Sequence, residues 1–557
     1  MPQPTRPWWR SYQGGWLRGD VIAGLTVWAV LVPESLAYAT IAGVPPVVGL
    51  YAAVPSLVLY ALLGSSRHLI VGPMSATAAL SAGIVVVYAK AGTDDYVAIT
   101  TALAIMTGIA GIVAGVLRLG FVANFISEPV LKGFIVGLAL TIIIGQVPKF
   151  FGISKGEGNF FQQLWHVLVN LGKTSGGTLL IGALSLAVVL LLKRFVPLLP
   201  GSLIVVLLGI IAVAAFHLDK HGIDIVGHID SGLPRLGLPH VPSASTYLHV
   251  AGPAIGVLLV GFAEGLGAAK TYAAKEGYDI DANRELIGLG ASNLGAGLAS
   301  GMVVNGSLSK TAVNGGAGAK SQVSGLVTAV LTIVTLLLLT GLFEKLPEAT
   351  LSAVVIAAVI ELVDIGSLRR LYAVYSKRLA KIYGYAARAD FAAAVAAMLG
   401  VLIFDTLPGL VIGVGLSLLL LLYRTSRPHV ATLGRLGEMW VDQSRNPTAV
   451  APTGTAVLRV ESGLFFANSD HVREAIKGAA TGDVHTVILD GESMPFIDVT
   501  AAQTLSEVGN SLRREGKELW LAHDVGQVRD VLERAPQASE RVFATIDEAV
   551  EAAQAGR

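Results

Sequence analysis

The chain has 557 residues, no cysteine, 53% hydrophobic residues, 14% charged residues and a net charge of +1. Its mean hydropathy is +0.66. Soluble domains carry about 25% charged residues, so an ordinary soluble enzyme and a disordered chain are both excluded. The lack of cysteine excludes a disulfide scaffold and a thiolate metal site. What remains is a polytopic α-helical membrane protein. Its 64 glycines point to close helix contacts or broken helices.

The first twenty residues, "MPQPTRPWWRSYQGGWLRGD", lack the apolar region of a signal peptide. Trp8, Trp9 and Trp16 with Arg10 and Arg18 read as an interfacial anchor. Apolar stretches follow near 21–41, 47–63, 74–90, 96–117, 127–147, 177–196, 201–217, 252–270, 284–300, 309–319, 321–342, 348–363, 389–405 and 408–424. That is fourteen, several shorter than the ~20 residues of a full span. An even number puts both termini on one side. Arginines at 6, 10, 18, 369–388, 424, 427 and 435 make that side cytoplasmic by the positive-inside rule.

Two segments interrupt the apolar pattern. "VGPMSATAALSAG" (71–83) and "VNGSLSKTAVNGGAGAK" (304–320) are rich in Gly, Ser and Thr. Non-helical backbone at membrane depth survives only where it is buried in protein or lines a cavity. Helices starting there aim their positive ends at an anion. The first span and first broken segment recur about 230 residues later, as do Glu34 and Glu264. That spacing predicts two seven-span halves in inverted orientation with a site between them.

Intramembrane charges are functional candidates. Glu34, in "LVPESLAYA", and Glu264, in "GFAEGLG", are the carboxylates whose protonation could follow conformation. A carboxylate buried without a partner is held neutral. The alternatives are a structural group beside Pro33 for Glu34, and a permanent ion pair or helix contact for Glu264. Lys310, in "GSLSKTAVNGG", would draw an anion by its charge and the helix end, or else snorkel to the interface. Ser307, Ser309 and Thr311 could donate to anion oxygens or merely cap and pack. Tyr38 shares a helix face with Glu34 and would wall the cavity or join the core. Arg67 and His68 read as rim residues, and Asp281 and Asn283 as helix caps. No P-loop or zinc spacing is present, so transport would run on ion gradients or be passive.

From 451 to 557 the composition changes. This tail holds 10 basic and 17 acidic residues, net −7, against 30 and 22, net +8, before it. "TAVLRVESGLFFANSDHVREAIKGAA" reads strand, strand, helix, with Ser469 or Asp470 as cap. "HTVILDGESMPFIDVTAAQTLSEVGNSLRREGKELWLAH" reads buried strand, loop, helix, strand, a βαβ unit.

"PPVVGLYAAVPSLVLYALLGSSR" (45–67) resembles the signature of the sulfate permease family, the solute-carrier anion transporter group that includes prestin, with Val48 where tyrosine is usual. "LVPESLAYA", "NRELIGLGASN" and "GSLSKTAVNGGAGAKSQVSG" resemble further family motifs, with Glu34 in place of glutamine and Lys310 in place of arginine. "LDGESMPFIDVTAA" resembles a STAS domain, without the serine that is phosphorylated in anti-sigma antagonists, since Val499 follows Asp498. Thr500 is a helix-start residue.

The resemblance implies fourteen spans as 7+7 inverted repeats, two half-helices at mid-membrane and a C-terminal α/β STAS domain. Its boundaries would be a cytoplasmic segment 1–19, a transport domain 20–426 split into core and gate, a linker 427–450 and a cytoplasmic STAS domain 451–557. The anion would sit between the starts of the third and tenth spans, at Ser75, Ala76, Ser309, Lys310 and Thr311, with Tyr38 nearby. Sodium-coupled bicarbonate members carry aspartate and, one turn later, threonine where this chain has Glu264 and Ala268. That favours proton coupling through Glu34 and Glu264.

The implied protein is a homodimeric, elevator-like proton–anion symporter of the inner membrane, most simply for sulfate, else bicarbonate or a dicarboxylate. It needs no cofactor or metal and binds no nucleic acid. Other classes are a passive anion channel or exchanger, and a membrane-anchored regulator.

Overall fold

The computed structural model describes residues 8–121, 128–156, 158–196, 200–360, 363, 366, 386–404, 406–523, 526–533 and 541–555. They form two compact units, Met1–Ser417 and Leu418–Arg557.

Among the described residues each of the fourteen apolar stretches overlaps a helix, thirteen of them in the first unit. In chain order these begin with α1 (Leu17–Ala42), α2 (Pro46–Leu63), β1 (Ile70–Gly72), α3 (Ser75–Val85), α4 (Asp94–Val116), α5 (Glu128–Phe151), α6 (Phe160–Asn170), α7 (Gly176–Phe195) and α8 (Gly201–Phe216). The second half has α9 (Ser245–Glu276), α10 (Ala282–Leu298), β2 (Asn305–Ser307) and α11 (Leu308–Gly316). It continues through α12 (Val323–Phe343, with a π-helical turn at Thr335–Leu339), α13 (Glu348–Val359), α14 (Ala386–Phe404) and α15 (Thr406–Ser426). Seven helices among the described residues are long and apolar enough to cross a membrane. Of the arginines expected at 369–388, Arg369, Arg370 and Arg378 lie outside the described residues.

Local chemistry sets the helix ends. Gly43 closes α1 at φ 78°, and Pro46 opens α2 at a position where its missing N–H is harmless. Asp281 caps α10 by accepting from the amides of Asn283 and Arg284, as expected. The glycines act where helices meet. A Cβ on Gly111 of α4 would stand 2.8 Å from Gly290 Cα of α10, and one on Gly290 2.5 Å from Ile112 N. These helices touch backbone to backbone. Helix α6 was not expected. It is short, and its capping box, Asn159 with Gln162, fixes its start.

In the second unit a six-stranded sheet runs β4-β3-β5-β6-β7-β8. Its strands are β3 (Val430–Leu436), β4 (Met439–Asp442), β5 (Thr455–Val460), β6 (Thr486–Asp490), β7 (Glu518–Ala522) and β8 (Val542–Phe543). Strands β5 to β8 are mutually parallel, and the hairpin β3–β4 adds antiparallel to β5. Helices α16 (Ser469–Ala479), α17 (Val499–Arg514), α18 (Gly526–Glu533) and α19 (Ile546–Ala555) cover it. Every residue of β6 is buried. Val487 and Leu489 face the cluster with Val472, Ile476 and Leu505, while Ile488 faces the one with Ile546, Ala549 and Val550.

Three expectations are corrected here. The stretch 427–450 is no linker but supplies β3 and β4. After β5 there is only a bridge, Leu464 to Ile497, rather than a second strand. Helix α16 starts after Asn468, not Ser469 or Asp470, because the Asn468 side chain ties down the turn, accepting from Phe465 N and donating to Gly463 O. Asp498 caps α17, accepting from Ala501 N, so Thr500 is a first-turn residue.

Burial alone raises the Asp442 carboxyl, but bonds from Ser444 and His429 outweigh it and hold the group below its ordinary value. A depressed folded-state value contributes stability present above the unfolded value and lost as pH falls through the folded one. Asp442→Asn is therefore expected to speed amide exchange in β4 at pH 7, with the difference from wild type shrinking only as pH falls below about 4. Hydrogen exchange read by mass spectrometry checks this.

Candidate functional site

The two interrupted segments meet. β1 and β2 pair antiparallel, Ile70 with Ser307, Val71 with Gly306 and Gly72 with Asn305, and all six residues are buried. This ladder satisfies backbone groups that would otherwise be orphaned at membrane depth. Side chains hold it from outside. Ser56 donates to Val71 O, Thr311 Oγ1 accepts from Ile70 N, and Asn293 both donates to Val304 O and accepts from Val304 N. Helix α3 leaves β1, and α11 leaves β2, with their N-termini at the ladder.

Lys310 lies in the first turn of α11, where its amide donates to the Ser307 cap. Its side chain is fully buried and reaches across to the start of α3. Nζ stands 2.8 Å from Glu34 Oε2, donates to Pro73 O at 3.1 Å and lies 5.0 Å from the centre of the Tyr38 ring. The snorkelling alternative for Lys310 is excluded, and Glu34 is buried with a partner rather than without one. Tyr38 contributes a cation–π face. Ser75 and Ala76 form the first turn of α3, next to Pro73, and no side chain caps that helix. Its positive end therefore faces the Lys310 locality with uncapped amides.

Ser309 is exposed to a cavity of about 120 Å³ whose lining also includes Thr26, Val30, Glu34, Lys193 and Val354. Thr311 is not turned to this space, since its hydroxyl holds β1. Glu264 forms no ion pair with Lys310. Its carboxylate accepts from Asn305 Nδ2 at 3.0 Å, which ties α9 to the first residue of β2. Ala268, one turn on, is buried. The sequence thus brings Glu34, Tyr38, Lys310, Ser75 and Ser309 to one place, with Glu264 behind the ladder.

Sequence reasoning missed the polar seam that braces both half-helices. Buried Asp20 accepts from Lys320 N, Ser321 N and Ser321 Oγ. Glu285 accepts from Tyr60 OH, Ser65 N, Ser65 Oγ and Ser66 N. Gln322 donates to Ser66 O and Leu69 O, and Asn314 to His68 O. His68 is no rim residue: it is 2% exposed, with Nε2 3.0 Å from Ala319 O and Nδ1 3.0 Å from Tyr278 OH. A carbonyl only accepts, so Nε2 carries the proton and Nδ1 accepts from the tyrosine. Arg67 lies over the Tyr278 ring. The signal available was the polar run "GSSRH" directly after an apolar helix.

Two half-helices paired through a buried ladder, with a lysine between their ends, are the broken-helix arrangement of a polytopic membrane carrier. Residues 17–382 match the sulfate permease family and residues 446–549 the STAS domain. The chain belongs to the sulfate permease family, whose members are transporters and not enzymes. It is 35% identical over 552 residues to a probable sulfate transporter of Mycobacterium tuberculosis, covering 98% of this chain and 96% of that one. It is 31% identical to low affinity sulfate transporter 3 of Stylosanthes hamata, covering 100% and 90%. The structure of the murine Solute Carrier 26 family member A9 anion transporter in the inward-facing state superposes with TM-score 0.86 at 25% identity, covering 98% of this chain and 93% of that one. The membrane domain of the cyanobacterial bicarbonate transporter BicA shares the fold, with TM-score 0.62 at 24% identity, covering 72% and 99%.

Proposed function

We propose that the protein is a secondary active transporter of a small inorganic anion, sulfate first, driven by protons. The observation that carries this reading is the Lys310–Glu34 pair at the uncapped start of α3. With Glu34 ionised, its carboxylate occupies the ammonium face that an anion would take. A proton on Glu34 removes this competitor and leaves a net positive site. Anion and proton then favour each other's binding, and linkage makes the effect reciprocal. The names of the relatives support sulfate, and the charge pattern supports a cytoplasmic-membrane protein with both termini and the STAS domain in the cytoplasm. Fourteen spans, a homodimer and an elevator-like motion that carries α1, α3 and α11 together complete the proposal.

The test is uptake of labelled sulfate, bicarbonate and a C4-dicarboxylate into proteoliposomes, with and without an inward proton gradient. Uphill uptake of one anion that needs the gradient names the substrate. Glu34→Gln mimics the protonated state permanently. It is expected to lose proton-driven accumulation while retaining anion exchange, with a flattened pH dependence. Undiminished uphill uptake by this variant would sink the proton role of Glu34.

A further inference from the structure

Helix α6 turns its apolar side outward. Its eleven residues, "FFQQLWHVLVN", include no acidic residue, lysine or arginine. Five of them are exposed: Phe161, Gln162, Trp165, Leu168 and Val169. Gln162 is committed to the capping box, its Oε1 accepting from Asn159 N. The other four are large and apolar, 49%, 69%, 51% and 63% exposed in that order. Spaced i, i+4, i+7 and i+8, they form one stripe along the helix. The remaining polar residues are bonded within the protein. Gln163 donates to Gly158 O, His166 Nε2 lies 3.1 Å from Ser154 O, and buried Asn170 donates to His166 O. A helix that faces water has the reverse arrangement.

The place of α6 in the chain decides what meets the stripe. It lies between α5 and α7, both long and apolar enough to cross a membrane. At 1.5 Å per residue α6 is about 16 Å long, against a hydrocarbon core of ~30 Å. It is too short to be a span and belongs to the connection between two spans. Its start is fixed to the bundle, because Asn159 Nδ2 donates to Ile403 O of α14. Trp165 is the most exposed member of the stripe, and tryptophan is the side chain favoured at the level of the lipid headgroups. Four side chains are far fewer than the ~20–30 residues a side of a stable subunit interface, which argues against a second copy as the occupant.

We propose that α6 is an interfacial anchor, lying along the membrane surface with Phe161, Trp165, Leu168 and Val169 sunk into the boundary between headgroups and acyl chains. The partner is the bilayer itself. Through Asn159 the anchor holds the end of α14 at that level. It does not depend on which ion the protein carries, so its failure leaves the transport reading untouched.

The natural absence of cysteine supplies the test. Trp165→Cys and Val169→Cys are each made in the full-length protein, labelled with a nitroxide and placed in lipid nanodiscs. Collisions of the nitroxide with oxygen and with a water-soluble nickel chelate are read by power saturation. Lys220→Cys, on an exposed turn, is the water reference, and Leu184→Cys, 57% exposed on α7, is the lipid reference. The oxygen-to-nickel ratio at both stripe positions is expected to exceed the Lys220 value severalfold and to stay below the Leu184 value. Leu168→Cys replaces either variant that does not purify. A ratio equal to that at Lys220 means the stripe lies in water. A ratio as high as at Leu184 means it lies in the hydrocarbon core, and an immobilised label that neither reagent reaches means protein covers it. Each of these three results overturns the anchor. Trp165→Gln with Leu168→Gln removes half of the stripe and should move a label at Val169 toward the water value. An unchanged ratio there overturns the apolar stripe as what holds the helix in place.

Discussion

Lys310→Ala is expected to bring sulfate uptake down to the background of empty liposomes, a loss of about 100-fold or more. A charge-assisted contact to a buried oxyanion is worth about 3 kcal/mol, which is that factor. The variant also leaves Glu34 buried without its cation, and breaking such a pair costs about 3–5 kcal/mol of stability. Lost uptake alone therefore does not separate ligand binding from folding. The double variant Glu34→Gln, Lys310→Gln does: a neutral pair of similar size removes the unpaired charge. It is expected to purify as a monodisperse protein and still not transport. Lys310→Arg keeps the charge and adds a bidentate fork, so it should transport with an altered order of preference among anions. A well-folded Lys310→Ala that keeps more than a tenth of wild-type uptake rules out Lys310 as the anion ligand.

Glu285→Ala is expected to cause the largest loss of folded protein of any single change at the polar seam. Its carboxylate accepts four hydrogen bonds, from Tyr60, Ser65 and Ser66. These fix the turn between α2 and β1, and so the ladder from which α3 begins. Removing a buried charged acceptor strands several donors at once, at about 3–5 kcal/mol. The monodisperse fraction in size-exclusion chromatography should collapse. Tyr60→Phe deletes one of the four donors and should cost only about 1–2 kcal/mol, seen as a fall of a few degrees in melting temperature. If Glu285→Ala melts with wild type, the seam does not hold the turn.

The helices were legible because apolar length survives any rearrangement of neighbours. The broken segments were legible because Gly, Ser and Thr at membrane depth have few other uses. Pairing was harder. Glu34 and Lys310 each announced themselves as intramembrane charges, yet nothing in either motif says that one faces the other. That contact follows from the β1–β2 register, and two runs of three residues, "IVG" and "NGS", are too short to read as strands. Asp20, Glu285 and His68 were hidden for a different reason. Each sits beside the end of an apolar helix, where a polar side chain usually meets water, and only the packing of the 64–69 and 317–322 turns encloses it. Helix α6 and strands β3 and β4 were missed because their signals are local and weak. The hairpin turns at Gly437, with φ 62°, followed by Glu438, a pair less distinctive in sequence than Asn-Gly or Asp-Gly.

The β1–β2 ladder is made of main-chain bonds, so its shape is indifferent to most side chains around it. The half-helices can start from the same place with a different head group at residue 310, provided Glu34 is not left buried without a partner. Lineages can exchange the cation at that position, or its carboxylate partner on α1, without rebuilding the backbone beneath. On the proposed role of residue 310, ligand preference could then change by a single substitution while the ladder stays fixed.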